Sequence, residues 1–311
     1  VSKVRVCFLG TPEFALISLK ELLKDEHYEI VGVVTQPDRP AGRKMLLTPS
    51  PVKTLAMAQG IPVLSPESVN KDFVLREISQ WGAEVAVVVA FGQILSSKFL
   101  QLFPFGAVNV HGSVLPRWRG AAPIQRALEA GDTESGVTLQ KVVRELDAGD
   151  IIGIRRCQLN DEINAMELHN QLAAMGADLL HVDLMDYVRG NLAPIPQDPS
   201  GITYAKKIDK AEAEISWTLP AARIHTKVRA FVMGPGTFTT LGAKKLKIHR
   251  TKVLAGKSSP AVIADVTETS LVVGTGEGLL EIFEVQPESR SRMSFADFLK
   301  GHPLKKGDSL G

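Results

Sequence analysis

At 311 residues the chain is long for one domain and comfortable for two, and 44% apolar with 23% charged residues is the mix of an ordinary globular protein. No stretch approaches the ~18 consecutive apolar residues of a membrane span, and two cysteines, Cys7 and Cys157, are too few for a Cys-based zinc site. The net charge of +2 divides unevenly: residues 201–311 carry 17 Lys+Arg against 11 Asp+Glu, whereas residues 1–200 carry 19 against 23. A basic C-terminal third implies an anionic partner such as nucleic acid. With no basic-then-apolar leader visible, a cytoplasmic protein is expected.

Val4 to Leu9 reads as a first strand, stopped by Gly10, Thr11 and Pro12. Pro12 suits the first turn of a helix carrying Phe14, Ile17, Leu19, Leu22 and Leu23. Ile30 to Val34 is a second, buried-type strand. This β-α-β opening lacks G-x-G-x-x-G, which argues against a dinucleotide. Residues 35–44 contain Pro37, Pro40, Gly42, Arg39, Arg43 and Lys44, and predict a long, exposed, basic loop that is neither strand nor helix. Helices are predicted over 51–59 and 73–81, followed by Val85 to Ala90, a central strand apolar on both faces.

Gly106 to Val108 then leads a strand into Asn109, His111 and Ser113, after which Pro116, Gly120 and Pro123 impose a loop. An amide, an imidazole and a hydroxyl crowd into five residues at a strand end, which is where open α/β sheets build their sites. A helix over 123–130 and a strand over 136–140 lead to Glu145, Asp147 and Asp150 in a tight turn. Residues 164–188 predict a long amphipathic helix with Leu168, Leu172, Met175, Leu179 and Val182 on its buried face. The alternation of strands and helices predicts an α/β fold with a mostly parallel, doubly wound, Rossmann-like sheet. Gly190, Pro194, Pro196, Pro199 and Gly201 mark residues 190–206 as a linker between domains 1–189 and 207–311. Beyond it, a helix over 220–231 precedes short β runs near 238–241, 246–248, 261–263, 270–273 and 279–283. That spacing predicts a small OB-like β-barrel.

The run Asn109, Val110, His111, Gly112, Ser113, Val114, Leu115, Pro116 resembles the signature of the folate-dependent formyltransferases, and Asp147 matches the third member of that signature. Three further stretches narrow the resemblance to the methionyl-tRNA formyltransferases: Gly10 to Ala15, Thr35 to Arg43, and Arg117 to Gln125. Pro49 to Lys53 and Tyr204 to Ile208 extend it, and it covers the whole chain. There are two departures. Val232, Met233, Gly234, Pro235 and Gly236 stand where that family has an Asn-Pro-Trp-Pro run, and the basic loop turns apolar at Met45, Leu46 and Leu47.

The resemblance implies transfer of a formyl group from 10-formyltetrahydrofolate to the α-amine of methionyl initiator tRNA, for initiation of translation. It needs no metal, and a monomer is expected. It implies Asn109 as oxyanion donor, His111 as second donor and acid, oriented by Asp147, and Asp147 as base through a water. The folate would lie against Val88, Ala90, Phe91, Ser113, Val114, Leu115, Pro116 and Arg144. The tRNA would meet Arg39, Arg43, Lys44, Lys206, Lys207, Arg229, Lys244, Lys245, Lys247 and Arg250. A formyltransferase acting on an amino sugar or a purine precursor would share the three catalytic positions, but has no use for Arg39, Arg43 or a basic barrel.

Overall fold

The computed structural model describes residues 3–41 and 45–311; Arg43 and Lys44, two of the expected tRNA-facing cations, lie outside the described residues. The chain forms two compact units. The first holds the described residues up to Gly120 together with Ser135–Cys157 and His169–Tyr204, and the second holds Ala121–Glu134, Gln158–Leu168 and Ala205–Gly311.

The first unit is built on a seven-stranded sheet in the order Ile151–Gln158, Glu134–Lys141, Ala107–His111, Val85–Val89, Val4–Gly10, Tyr28–Val34, Val63–Leu64. The five strands from Ala107–His111 to Val63–Leu64 pair in parallel. Glu134–Lys141 breaks the pattern and runs antiparallel to Ala107–His111. The middle strands are buried on both sides, which is why they read as unbroken apolar runs. Cys7, Leu9, Ala86 and Val88 form one core with Val74, Leu75 and Ile78 of the helix Asp72–Gln80. The register aligns Val89 with Val110 on the opposite face. There the helix Ala165–Val188 comes close through Gly176, where a Cβ would lie 2.6 Å from the Val110 side chain.

Three sequence expectations need correction. Arg39–Ala41 and Leu46–Thr48 pair as a short antiparallel ribbon, with Pro40 opposite Leu47, in place of an irregular loop. A two-stranded ribbon has only edges, so a proline missing its donor is tolerated. Along the long helix, Leu168, Leu172, Leu179, Leu180 and Leu184 are buried, whereas Val182 is exposed. The Pro- and Gly-rich stretch after that helix is tied to the sheet, since Ile195 and Ile151 exchange backbone hydrogen bonds of 2.8 Å in both directions.

In the second unit, antiparallel strands run in the order Phe238–Leu241, Lys244–Leu254, Leu279–Pro287, Leu271–Gly274, Ile263–Val266, with Met293–Ser294 beside Leu279–Pro287. Their inward residues pack with Ile224 and Val228 of the helix Ala221–Ala230 and with Phe295 and Phe298. The expected small β domain is present as a half-barrel: among the described residues its first and last strands do not pair.

Arg126 knits distant segments of this unit together. Its Nη1 and Nη2 donate to the two carboxylate oxygens of Glu212 at 2.8 and 2.9 Å, and its Nε donates to the Lys206 carbonyl at 3.1 Å. The guanidinium holds the Glu212 carboxyl well below the usual range, at about 2. A carboxylate with a depressed folded-state pKa stabilises the fold above its unfolded pKa and loses that contribution as pH falls toward the folded value. Glu212→Gln is therefore expected to lower Tm by roughly 1–3 °C at pH 7, the modest size set by its partial exposure. The gap from wild type should narrow below about pH 4.5 and close near pH 2. Thermal melts of both proteins from pH 7 to pH 2 measure it, and a gap that stays constant would separate Glu212 from this linkage.

Candidate active site

The parallel register aligns Leu9 with Val88 and Val88 with Asn109, and the antiparallel register aligns Asn109 with Gln140. One row across the sheet therefore changes from apolar to polar at its last two positions. The next row up sets His111 opposite Thr138. Residues two apart share a strand face, and cross-strand partners share it too. Asn109, His111, Thr138 and Gln140 therefore stand together where the parallel strands end.

Each neighbour of Asn109 is already held. Gln140 is buried, and its Nε2 donates to Asp147 Oδ1 at 3.1 Å. The buried Thr138 hydroxyl donates to the Ser113 carbonyl at 2.7 Å and accepts from the Leu115 N–H at 3.1 Å, shaping the loop after His111. His111 is 6% exposed, and its Nε2 lies 2.8 Å from the Trp118 carbonyl. A carbonyl only accepts, so Nε2 carries a proton and Nδ1 faces Asp147 Oδ2 at 3.7 Å. The Asp147 carboxylate is fixed by the Gly120 N–H at 2.8 Å as well as by Gln140. Among the described residues the Asn109 amide has no hydrogen-bond partner.

The backbone around these groups is strained. Ala90, Trp118 and Asp147 all have positive φ, at 46°, 64° and 50°. Such conformations cost of order 1–3 kcal/mol each for residues other than glycine and persist where the surroundings impose them. Gly149 is required two residues after Asp147, because a Cβ there would overlap the Lys141 carbonyl oxygen.

Asn109, His111 and Asp147 thus come together, but the orienting partner of His111 is the Trp118 carbonyl rather than Asp147. The residues expected against folate divide in two. Val88, Phe91, Ser113 and Leu115 are buried, and the Ser113 hydroxyl is taken by the Arg117 carbonyl at 2.6 Å. Their side chains pack into the scaffold, so any contact with a ligand at these positions would be made chiefly by backbone. Ala90 and Arg144 are exposed, and Val114 and Pro116 are half-buried. On the same rim, Gln36 Nε2 donates to the Phe91 carbonyl at 3.0 Å and ties the loop after Val34 to the strand end.

The cations divide as well. Arg39 is exposed beside Glu67 at 3.4 Å, and Lys206 and Lys207 are exposed. Arg229 is a correction: it is 8% exposed and its Nη1 donates to the Asn160 and Ile163 carbonyls at 3.0 and 2.9 Å. It lines a cleft of about 790 Å³ in the second unit, and burial lowers its pKa. Its Nη1 is engaged by backbone carbonyls and the side chain is nearly covered. On Lys244–Leu254, Leu246 and Ile248 point inward and alternate with Lys245 and Lys247, which point out. Register shifts on both sides of Arg250 change the parity, so Thr251 points inward and Arg250 and Lys252 point out. Lys244 is exposed at the strand's start.

The sequence by itself places Thr138 and Gln140 only in a strand, and Trp118 and Arg119 only in the run Arg117 to Gln125, with no site role for any of the four. A Thr and a Gln two apart in an otherwise apolar strand were the available signal, since buried polar groups need partners.

Two family models match the chain: formyl transferase over residues 3–182, and formyl transferase, C-terminal domain, over residues 207–303. A methionyl-tRNA formyltransferase of Bdellovibrio bacteriovorus is 65% identical, with all of both chains covered. One from Myxococcus xanthus is 41% identical over 99% of this chain and 98% of its own. Among solved structures, an N-formyltransferase from Helicobacter canadensis, crystallised with folinic acid and dTDP-3-aminofucose, has the same fold. Its TM-score is 0.68 at 18% identity, covering 91% of this chain and 99% of that one. The chain belongs to the methionyl-tRNA formyltransferase family.

Proposed function

We propose that this chain transfers the formyl group of 10-formyltetrahydrofolate to the α-amine of methionine carried on initiator tRNA. The observation that carries the reading is the Asn109 amide, without a hydrogen-bond partner among the described residues, on the strand face it shares with the pinned His111 imidazole and opposite the Gln140 that holds the Asp147 carboxylate. The folate would supply an activated formyl carbonyl. The free amide donor and the exposed, left-handed Ala90 at the adjoining strand end fit such a group.

Asn109 would donate its side-chain N–H to the carbonyl oxygen as negative charge develops there, a role that rewards a donor with no competing bond. Asp147 would take the proton of the attacking ammonium, through a water. His111 would deliver a proton to the departing nitrogen. Because Nε2 is held by the Trp118 carbonyl, that proton would leave from Nδ1, the nitrogen facing Asp147. The outward cations Lys245, Lys247, Arg250 and Lys252 would meet the tRNA backbone, with Lys206, Lys207, Lys244 and the basic ribbon at Arg39.

Asn109→Ala and Asp147→Ala are each expected to cut kcat by about 10² or more while the protein stays folded. Formyl transfer to charged initiator tRNA, compared with charged elongator tRNA and free methionine, provides the assay. A folded variant with near wild-type kcat would take its residue out of the mechanism.

Replacing Lys245, Lys247 and Lys252 together by Ala should weaken tRNA binding and flatten its salt dependence. The log–log slope should fall by roughly 0.7–0.9 for each phosphate no longer neutralised. Folate affinity should not change. Equal slopes for wild type and the triple variant would make this face mere solvated surface.

A further inference from the structure

Gln197 lies in the stretch whose composition reads as a linker, yet its side chain reaches the turn that carries Asp147. Its Nε2 donates to the Asp147 carbonyl at 2.9 Å and the Gly149 carbonyl at 2.8 Å, with Gln140 Oε1 farther off at 3.3 Å. Its Oε1 accepts from Arg119 Nε at 3.1 Å and Nη2 at 2.8 Å. Arg119 is buried and immediately precedes Gly120, whose N–H holds Asp147 Oδ2. The amide therefore bridges both supports of the carboxylate: the turn it sits on and the backbone that grips its oxygen.

Partner chemistry fixes the orientation of this amide. Two carbonyls can only accept and a guanidinium can only donate, so a flipped amide would oppose like groups on both sides. No other side chain serves as well. Glutamate would bring acceptors to the two carbonyls, and asparagine is one methylene shorter. The turn needs outside support because Asp147 is held at a φ of 50°, which a short polar residue tolerates but does not choose.

We infer that Gln197 is a positioning residue for formyl transfer: it clamps the 147–149 turn to Arg119 and so keeps the Asp147 carboxylate against the His111 ring. The inference rests on the function proposed above for its link to turnover, but the clamp itself is readable without substrate. Its position follows from the backbone bonds of its segment, with Ile195 paired to Ile151 and the Arg119 N–H donated to the Thr203 carbonyl at 2.9 Å.

The test uses full-length wild type, Gln197→Ala and Gln197→Glu, each alone and in an Asp147→Asn background. Gln197→Glu keeps the volume and the contact with Arg119 but removes the donor to the two carbonyls, so it releases the turn without truncating the side chain. Expected for both variants is a fall in kcat of about tenfold or more, since small displacements of a reacting group are costly. KM for both substrates should stay within about threefold, and Gln197→Glu should melt close to wild type. Added to Asp147→Asn, neither variant should lower kcat much further, because groups acting as a unit are not additive. Amide hydrogen exchange supplies the readout that needs no activity: the Gly120 N–H should exchange faster in Gln197→Glu than in wild type. Gln197→Glu with kcat within twofold of wild type overturns the inference. So does a full loss in the Asp147→Asn background, or unchanged Gly120 exchange. A wild-type chain that fails to formylate charged tRNA would instead refute the proposed function, leaving Gly120 exchange to decide whether Gln197 is the clamp.

Discussion

One antiparallel pairing governs the arrangement of the first unit. Glu134–Lys141 returns alongside Ala107–His111 and sets Gln140 opposite Asn109 and Thr138 opposite His111. Side chains alternate between faces, so a slip of one residue in this register would send Thr138 and Gln140 to the far side of the sheet. The same strand leads directly to Asp147, so the reach of the turn and the register of the strand are fixed together. The four strands beyond Ala107–His111 continue in parallel and serve mainly as a buried platform for this edge.

The polar groups at that edge are satisfied in a particular order. The Thr138 hydroxyl and the Ser113 hydroxyl are spent on the loop that follows His111, and Gln140 is spent on Asp147. The Trp118 carbonyl sets the imidazole tautomer. A buried polar group left unpaired is costly, so these bonds leave little freedom for rearrangement. The Asn109 amide has no partner among the described residues and stands on a face already stiffened by its neighbours. Donors held ready in this way need no reorganisation when charge appears beside them. The positive φ values at Ala90, Trp118 and Asp147 fall at the three segments that meet there, where the surrounding bonds can hold a strained backbone.

In the second unit the same residue type serves opposite ends. Arg126 and Arg229 are turned into the structure, one fastened to carboxylates and the other to backbone carbonyls. Arg250 and the lysines of the same strand are turned outward, and this depends on a register irregularity. Without the shifts around Arg250, strict alternation would have put Arg250 on the side of Leu246 and Ile248. Net charge counts all of these residues alike, whereas surface charge does not.

The amino-acid sequence by itself determined the main helices and strands of the α/β half, the runs that mark Asn109, His111 and Asp147 as candidates, and the basic bias of the last third. Each of these is local or compositional: apolar periodicity, glycine and proline punctuation, and a distinctive run at a strand end. Only the tertiary structure decided which groups meet. The partner of His111 is a backbone carbonyl, which no side-chain pattern can announce. Gln197 lies 50 residues from Asp147 in a segment whose prolines and glycines read as a linker, and Arg229 looked like surface charge until its helix was packed. Hydrogen bonds between residues distant in sequence are set by register and packing, and those are properties of the folded chain.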